Sequence, residues 1–199
     1  MKPIASACAL IMLTTGCQLG PDTDRRAGRD AETRLIFMSP AFTDGGSLPE
    51  RFTSIGDDHS PPLQWRALPG ETKELAIVLT EHTPISERTF WVIYAIPVEL
   101  SELPEAIPID RVVTIAGPAG PIQVFQALND LGSIGYRGPS NTGDSNTTTY
   151  TFRVHALDRH LGLDPGIRAG EALVRINSAT VAFATLTANN EKTESKLHP

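Results

Sequence analysis

Apolar residues fall in short runs along most of the chain. Leu35, Ile36, Phe37 and Met38 form one run, halted by Ser39 and Pro40. Residues 75–79 and 90–96 form two more, the second stopped by Pro97. All are of strand length and rich in β-branched and aromatic side chains. Pro61 and Pro62 fix an extended or turning backbone, and Leu63 and Trp65 then alternate with Gln64 as the start of a half-buried strand. Residues 111–115 and 122–126 read as weaker strands between glycines and prolines. Residues 149–156 alternate cleanly. Tyr150, Phe152, Val154 and Ala156 share one face, and Thr149, Thr151, Arg153 and His155 share the other. His155 is therefore expected at the surface. Ala169, Ala172, Leu173 and Ile176 have helical spacing, which predicts a helix over 168–177 before a last strand over 180–187. The pattern predicts a mainly β domain over 34–188, an antiparallel sandwich with short peripheral helices and one helix near the C-terminus.

The ends of the chain read differently. A lysine, an apolar run from Ile4 to Leu13, and Thr14, Thr15 and Gly16 before Cys17 predict a secretory signal over 1–16. That run is too short for a permanent transmembrane helix. Small residues before Cys17 resemble the lipobox of bacterial lipoproteins, which implies acylation of Cys17, and Gln18 after it implies the outer membrane. Residues 17–33 hold almost nothing to bury and are expected to be a tether. Residues 189–199 are polar and expected to be a frayed tail.

Composition narrows the chemistry. A formal charge of −6 offers no nucleic-acid surface. The two cysteines, Cys8 and Cys17, both precede the body, which excludes a disulfide framework there. Asp57, Asp58, His59, Glu81 and His82 are of metal-ligand type. Neighbours on a strand point to opposite faces, so few of them can converge, and solvated charge is the expected reading. Trp65 and Trp91 are expected in the core or as a pocket wall. No nucleophile–base pair, phosphate-cradling glycine loop or cofactor motif is present.

Six stretches, in order, resemble a known family. They are Ser39, Pro40, Ala41 and Phe42 with Asp44 and Gly45; Ser60 to Trp65; Phe90 to Pro97; Asn129, Asp130 and Gly132; Gly135 to Pro139; and Tyr150, Phe152 and Ala156 to Asp158. Together they are similar to the phosphatidylethanolamine-binding protein family in its bacterial and archaeal branch, the relatives of Raf kinase inhibitor protein. The resemblance covers residues 35–186 and implies two antiparallel sheets and a small pocket for a phosphate-like headgroup. It places that pocket among Pro61, Trp65, Thr80, His82, Pro84, Phe90, Trp91, Gly138, Pro139, Thr148 and Tyr150.

The chain departs from the family at the groups that hold the anion. The Asp-Pro-Asp-Ala-Pro segment falls on Thr80, Glu81, His82, Thr83 and Pro84 and keeps only the last proline. Phe90 replaces a histidine, and Thr148 and Thr149 replace a His-Arg pair. The turn from Gly138 to Gly143 lacks the family's later prolines. A retained scaffold with its anion chemistry replaced predicts a lipid-anchored envelope protein that binds a small polar ligand or a protein partner, without catalysis and without cofactor. The family's inhibitors imply an alternative, a regulator of an envelope enzyme such as a protease.

Overall fold

The computed structural model describes residues 34–140 and 148–189. The signal, Cys17, the tether and residues 190–199 lie outside the described residues. The ten strands of the described body are β1 (Ile36–Met38), β2 (Gly46–Ser47), β3 (Leu63–Arg66), β4 (Glu74–His82), β5 (Glu87–Ile96), β6 (Glu102–Leu103), β7 (Val112–Gly117), β8 (Gly120–Gln126), β9 (Thr149–Leu157) and β10 (Thr180–Asn189), with helix α1 (Ala169–Ala179) before the last.

The strands form two sheets. The larger has the order β2-β10-β9-β4-β5-β8-β7 and the smaller β1-β3-β6. All pairings are antiparallel except that of β2 with β10. This is the mainly β sandwich that the alternation predicts. The main core lies between the sheets. Phe37, Leu63, Trp65 and Leu103 of the small sheet meet Leu75, Ile77, Leu79, Trp91, Ile93, Phe152 and Val154 of the large one. The far face of β4 and β5 is covered by α1, whose Ala169, Ala172, Ile176 and Ala179 lie on one face and pack with Ala76, Val78, Val92 and Tyr94. Three of those four helix residues are alanines, so the helix can sit close to the sheet.

The Ser-Pro-Pro turn is a clasp. Ser39 Oγ donates to Pro62 O at 2.7 Å, and Ser60 Oγ accepts from Ile107 N at 2.9 Å. Trp65 is buried with its indole N–H given to Leu100 O at 2.9 Å. Before α1 the chain turns at Gly166, with φ of +84°, a left-handed value that suits glycine.

Two irregularities in β5 change the simple period of two. Leu79 pairs with Trp91 and Thr80 with Thr89, which leaves Phe90 as an extra residue. Leu75 pairs with Ile96 and Ile77 with Ile93, which inserts another around Ala95, at φ of +56°. As a result Phe90 and Trp91 are both in the inner core, and so are Ile93 and Ile96. At the C-terminal boundary, Asn189 is no tail residue. It pairs with Thr149 and Ser47, and its Nδ2 donates to Gly45 O at 2.9 Å.

Candidate functional site

The phase of β4 decides the site. Leu75, Ile77 and Leu79 point into the main core, so Glu81 does too, and it is only 5% exposed. The register sets Glu81 opposite Tyr150 on one side and Arg88 on the other. Tyr150 Oη donates to Glu81 Oε1 at 2.8 Å, and Arg88 donates both Nε (2.8 Å) and Nη2 to Oε2. The bulged Phe90 lays its ring edge-on to Tyr150 at 5.9 Å, and the half-exposed Arg88 sits 5.5 Å over the Phe90 ring. Burial, and then the bond to Glu81, push the Tyr150 phenol well above its ordinary range. At neutral pH it is therefore a fixed donor. A buried carboxylate thus occupies this end of the core with its own donors already in place.

The adjoining wall is equally well satisfied. Trp91 Nε1 donates to Gln126 Oε1 at 2.7 Å, and its ring meets Tyr136 edge-on at 5.5 Å. Tyr136 Oη donates to Phe52 O at 2.6 Å. Gly138 N donates to Asp58 Oδ1 at 2.6 Å, Arg137 pairs with the same carboxylate, and Pro139 O accepts from Ser54. Pro61, Gly138 and Pro139 are buried. Asn129 donates to Phe90 O and Gly135 O and accepts from Leu131 N and Ser133 N. Asp130 accepts from Thr89 N at 2.7 Å. The Asn-Asp motif therefore holds the β5 bulge that turns Phe90 inward.

The residues picked from sequence divide between the two faces of the sheet. Phe90, Trp91 and Tyr150 are inside, with Trp65 farther along the same core. Thr80 and His82 have the opposite phase. They line a cavity of ≈ 140 Å³ on the far face, with Thr151, Arg153 and His155. His82 Nδ1 meets Glu87 there at 3.2 Å. Neither can share a pocket with Phe90, because a pleated strand sends adjacent side chains to opposite sides. Pro84 is exposed in the β4–β5 turn, and Thr148 is half-buried just ahead of β9.

Three further expectations need correction. Glu81 is buried and not solvated, because it continues the apolar phase of its strand. Asp58 is no free loop charge, since it holds the backbone at Gly138. His155 lies on the predicted face but is only 4% exposed, because Phe183 and Thr180 close over it. Burial, helped by Arg153, lowers its pKa to about 4. The reading from sequence missed Glu81 and Arg88 as site residues. The signal was available in the alternation of residues 75–81. Among the described residues no group of three or more His, Cys, Asp or Glu is placed to hold a metal ion.

The fold and the paired core define a member of a known class. The family model for phosphatidylethanolamine-binding protein matches residues 38–191, and the chain belongs to that family. It falls in the bacterial and archaeal branch. The chain is 38% identical to a UPF0098 protein of Methanothermobacter thermautotrophicus over 155 residues, 76% of this chain and 95% of the relative. It is 29% identical to the UPF0098 protein YbhB of Escherichia coli, over 77% and 98% of the two chains. A solved phosphatidylethanolamine-binding protein homologue from Chlamydia trachomatis superposes with a TM-score of 0.66 at 26% identity, covering 81% of this chain and 99% of the other. Escherichia coli YbcL gives a TM-score of 0.69 at 23% identity over 79% and 98%, a likeness of fold alone. Membership in this family supports a protein of the binding type.

Proposed function

We propose that this protein is a lipid-anchored component of a bacterial cell envelope that works by binding a small, uncharged or weakly charged polar ligand or a protein partner, and that it has given up the recognition of phosphate headgroups. The observation that carries this reading is the internal Glu81 carboxylate. Tyr150 and Arg88, the donors that would greet an anion at this end of the core, are spent on it. A second negative charge ~4 Å from Glu81 would meet at most about 4 kcal/mol of repulsion at an effective dielectric constant near 20, reduced by the paired Arg88 guanidinium. That bounds the loss of affinity at about a thousandfold. Phe90 and Thr148 supply no cationic donor, and the neighbouring Arg88 is already paired with Glu81. The anchor rests on Gly16 and Cys17 following an apolar run.

Titration with phosphoethanolamine, followed through the ring resonances of Tyr150 and Phe90, tests the pocket. The expected result is no movement below the millimolar range. Saturable shifts at micromolar ligand would overturn it. Mass spectrometry of the mature N-terminus tests the anchor. An acylated Cys17 is expected, and an unmodified N-terminus downstream of it would refute the attachment.

A further inference from the structure

The outer face of the large sheet carries an arginine with no ion-paired or hydrogen-bonded side chain among the described residues. Arg153 stands on β9 between Val78 of β4 and Thr185 of β10. Its Nε is buried without a hydrogen-bond acceptor, and no carboxylate among the described residues pairs with its guanidinium. Among the described residues, its guanidinium lies against the ring of Phe183, with the centroid 4.9 Å away. A buried N–H without an acceptor is costly, so a guanidinium held this way calls for one.

Several acceptors at the end of α1 are already engaged. Thr180 Oγ1 donates to Ile176 O at 2.7 Å, so it meets His155 Nδ1 at 3.0 Å as the acceptor. Three more carbonyls at the end of α1 are taken as well: Arg175 O by Ser178 Oγ, Ser178 O by Arg159, and Ala179 O by Asp158 N. Glu87, the one acid lining the enclosed cavity on this face, is paired with His82.

Two hollows meet at Arg153. One is the cavity of ≈ 140 Å³ beside Thr80 and Thr151. The other is an open cleft of ≈ 490 Å³ whose walls include Arg34, Arg153, His155, Asn177, Val181 and Phe183. Arg34 also lacks a carboxylate partner among the described residues, and the lining of this larger cleft contains no acid. Phe183 and Val181, 58% and 41% exposed, supply an apolar wall beside the two guanidinium groups. The cleft joins uncompensated positive charge, a neutral amide donor on Asn177 and a bare aromatic face.

We infer that this cleft, on the face of the sheet opposite Glu81, Phe90 and Tyr150, is a binding site for a small oxyanion carrying a flat apolar group, with Arg153 as its principal ligand and Phe183 as its platform. A carboxylate or phosphate oxygen would accept from the guanidinium edge that lines the cleft, and Arg34 would close on it from the rim. The apolar group would lie against Phe183 and Val181. This recognition is independent of the inner core, where the resident carboxylate opposes an anion.

The test uses the full chain with phenyl phosphate and benzoate as probes, and inorganic phosphate as the probe without an apolar group. The Arg153 Nε–H resonance should move in proportion to saturation by the aromatic anions. Arg153→Gln should weaken them at least about tenfold, the usual scale for a charge-assisted bond. Phe183→Ala should weaken phenyl phosphate more than inorganic phosphate, which loses only the support that the ring gives to Arg153. Which of benzoate and phenyl phosphate binds more tightly assigns the carboxylate or the phosphate. A resonance that stays still throughout the titration, or equal affinity in Arg153→Gln with its fold verified by circular dichroism, would overturn the proposal. So would shifts confined to Tyr150 and Phe90, which would place the anion in the inner core.

Discussion

Replacing His155 by asparagine should remove a defined piece of the protein's acid sensitivity. His155 is almost wholly inside, and burial followed by the neighbouring Arg153 charge holds its pKa near 4. In the unfolded chain the same imidazole titrates at about 6.5. Between those values the unfolded state binds the proton and the native state does not, so stability rises with pH across this window and is lost as pH falls. One imidazole with these two pKa values costs about 1.2 kcal/mol at pH 5.5 and about 2.4 kcal/mol at pH 4.5, relative to pH 7. The asparagine amide can still donate to Thr180, whose own proton goes to Ile176 O, but it carries no titrating group. Urea unfolding of both proteins at pH 7, 5.5 and 4.5 gives the comparison. Other groups, such as Glu74, whose pKa burial raises, titrate in both proteins and cancel in the difference. The wild type should lose about 2.4 kcal/mol more than His155→Asn between pH 7 and 4.5. Parallel stability profiles would refute the account, because they would mean that His155 can be protonated in the native state at little cost.

Two further substitutions test the architecture around the inner site. Gln126→Leu strands the Trp91 indole N–H and the carbonyls of Pro108 and Asp110, all served by one buried amide, and should cost about 3–5 kcal/mol in chemical denaturation; a loss below about 1 kcal/mol would show that the network is replaceable. Gly138→Ala should cost about 1–3 kcal/mol and lower the melting temperature, because its Cβ would lie 2.4 Å from Phe52 O, a backbone atom that cannot swing aside; an unchanged melting temperature would refute that contact.

The sequence by itself determined the class and most of the elements. Alternation over 149–156 set the two faces of β9, and helical spacing of small residues set α1, which runs over Ala169–Ala179 against an expected 168–177. These signals are local, because the period of a strand or helix is written in consecutive side chains. The same alternation, continued from Leu75 to Glu81, already placed an acid on the inner face. What it could not supply was the partner. Tyr150 is 69 residues from Glu81, and the bond between them exists because the register of β4 with β9 brings the two opposite each other. The inward turn of Phe90 beside Trp91 also had to come from tertiary structure, since a bulge adds a residue without changing composition, and this one is held by Asn129, 39 residues away. The outer face makes the same point from the other side. Periodicity puts Arg153 and His155 together on it, but it cannot say what covers that face. Helix α1 reaches only part of it, and the strand β10 that follows returns with Phe183 over His155, burying one titratable group and leaving the other at the edge of an open cleft. Strand phase is a property of the local backbone, whereas burial and hydrogen-bond partnership depend on which distant segment fills the space above it.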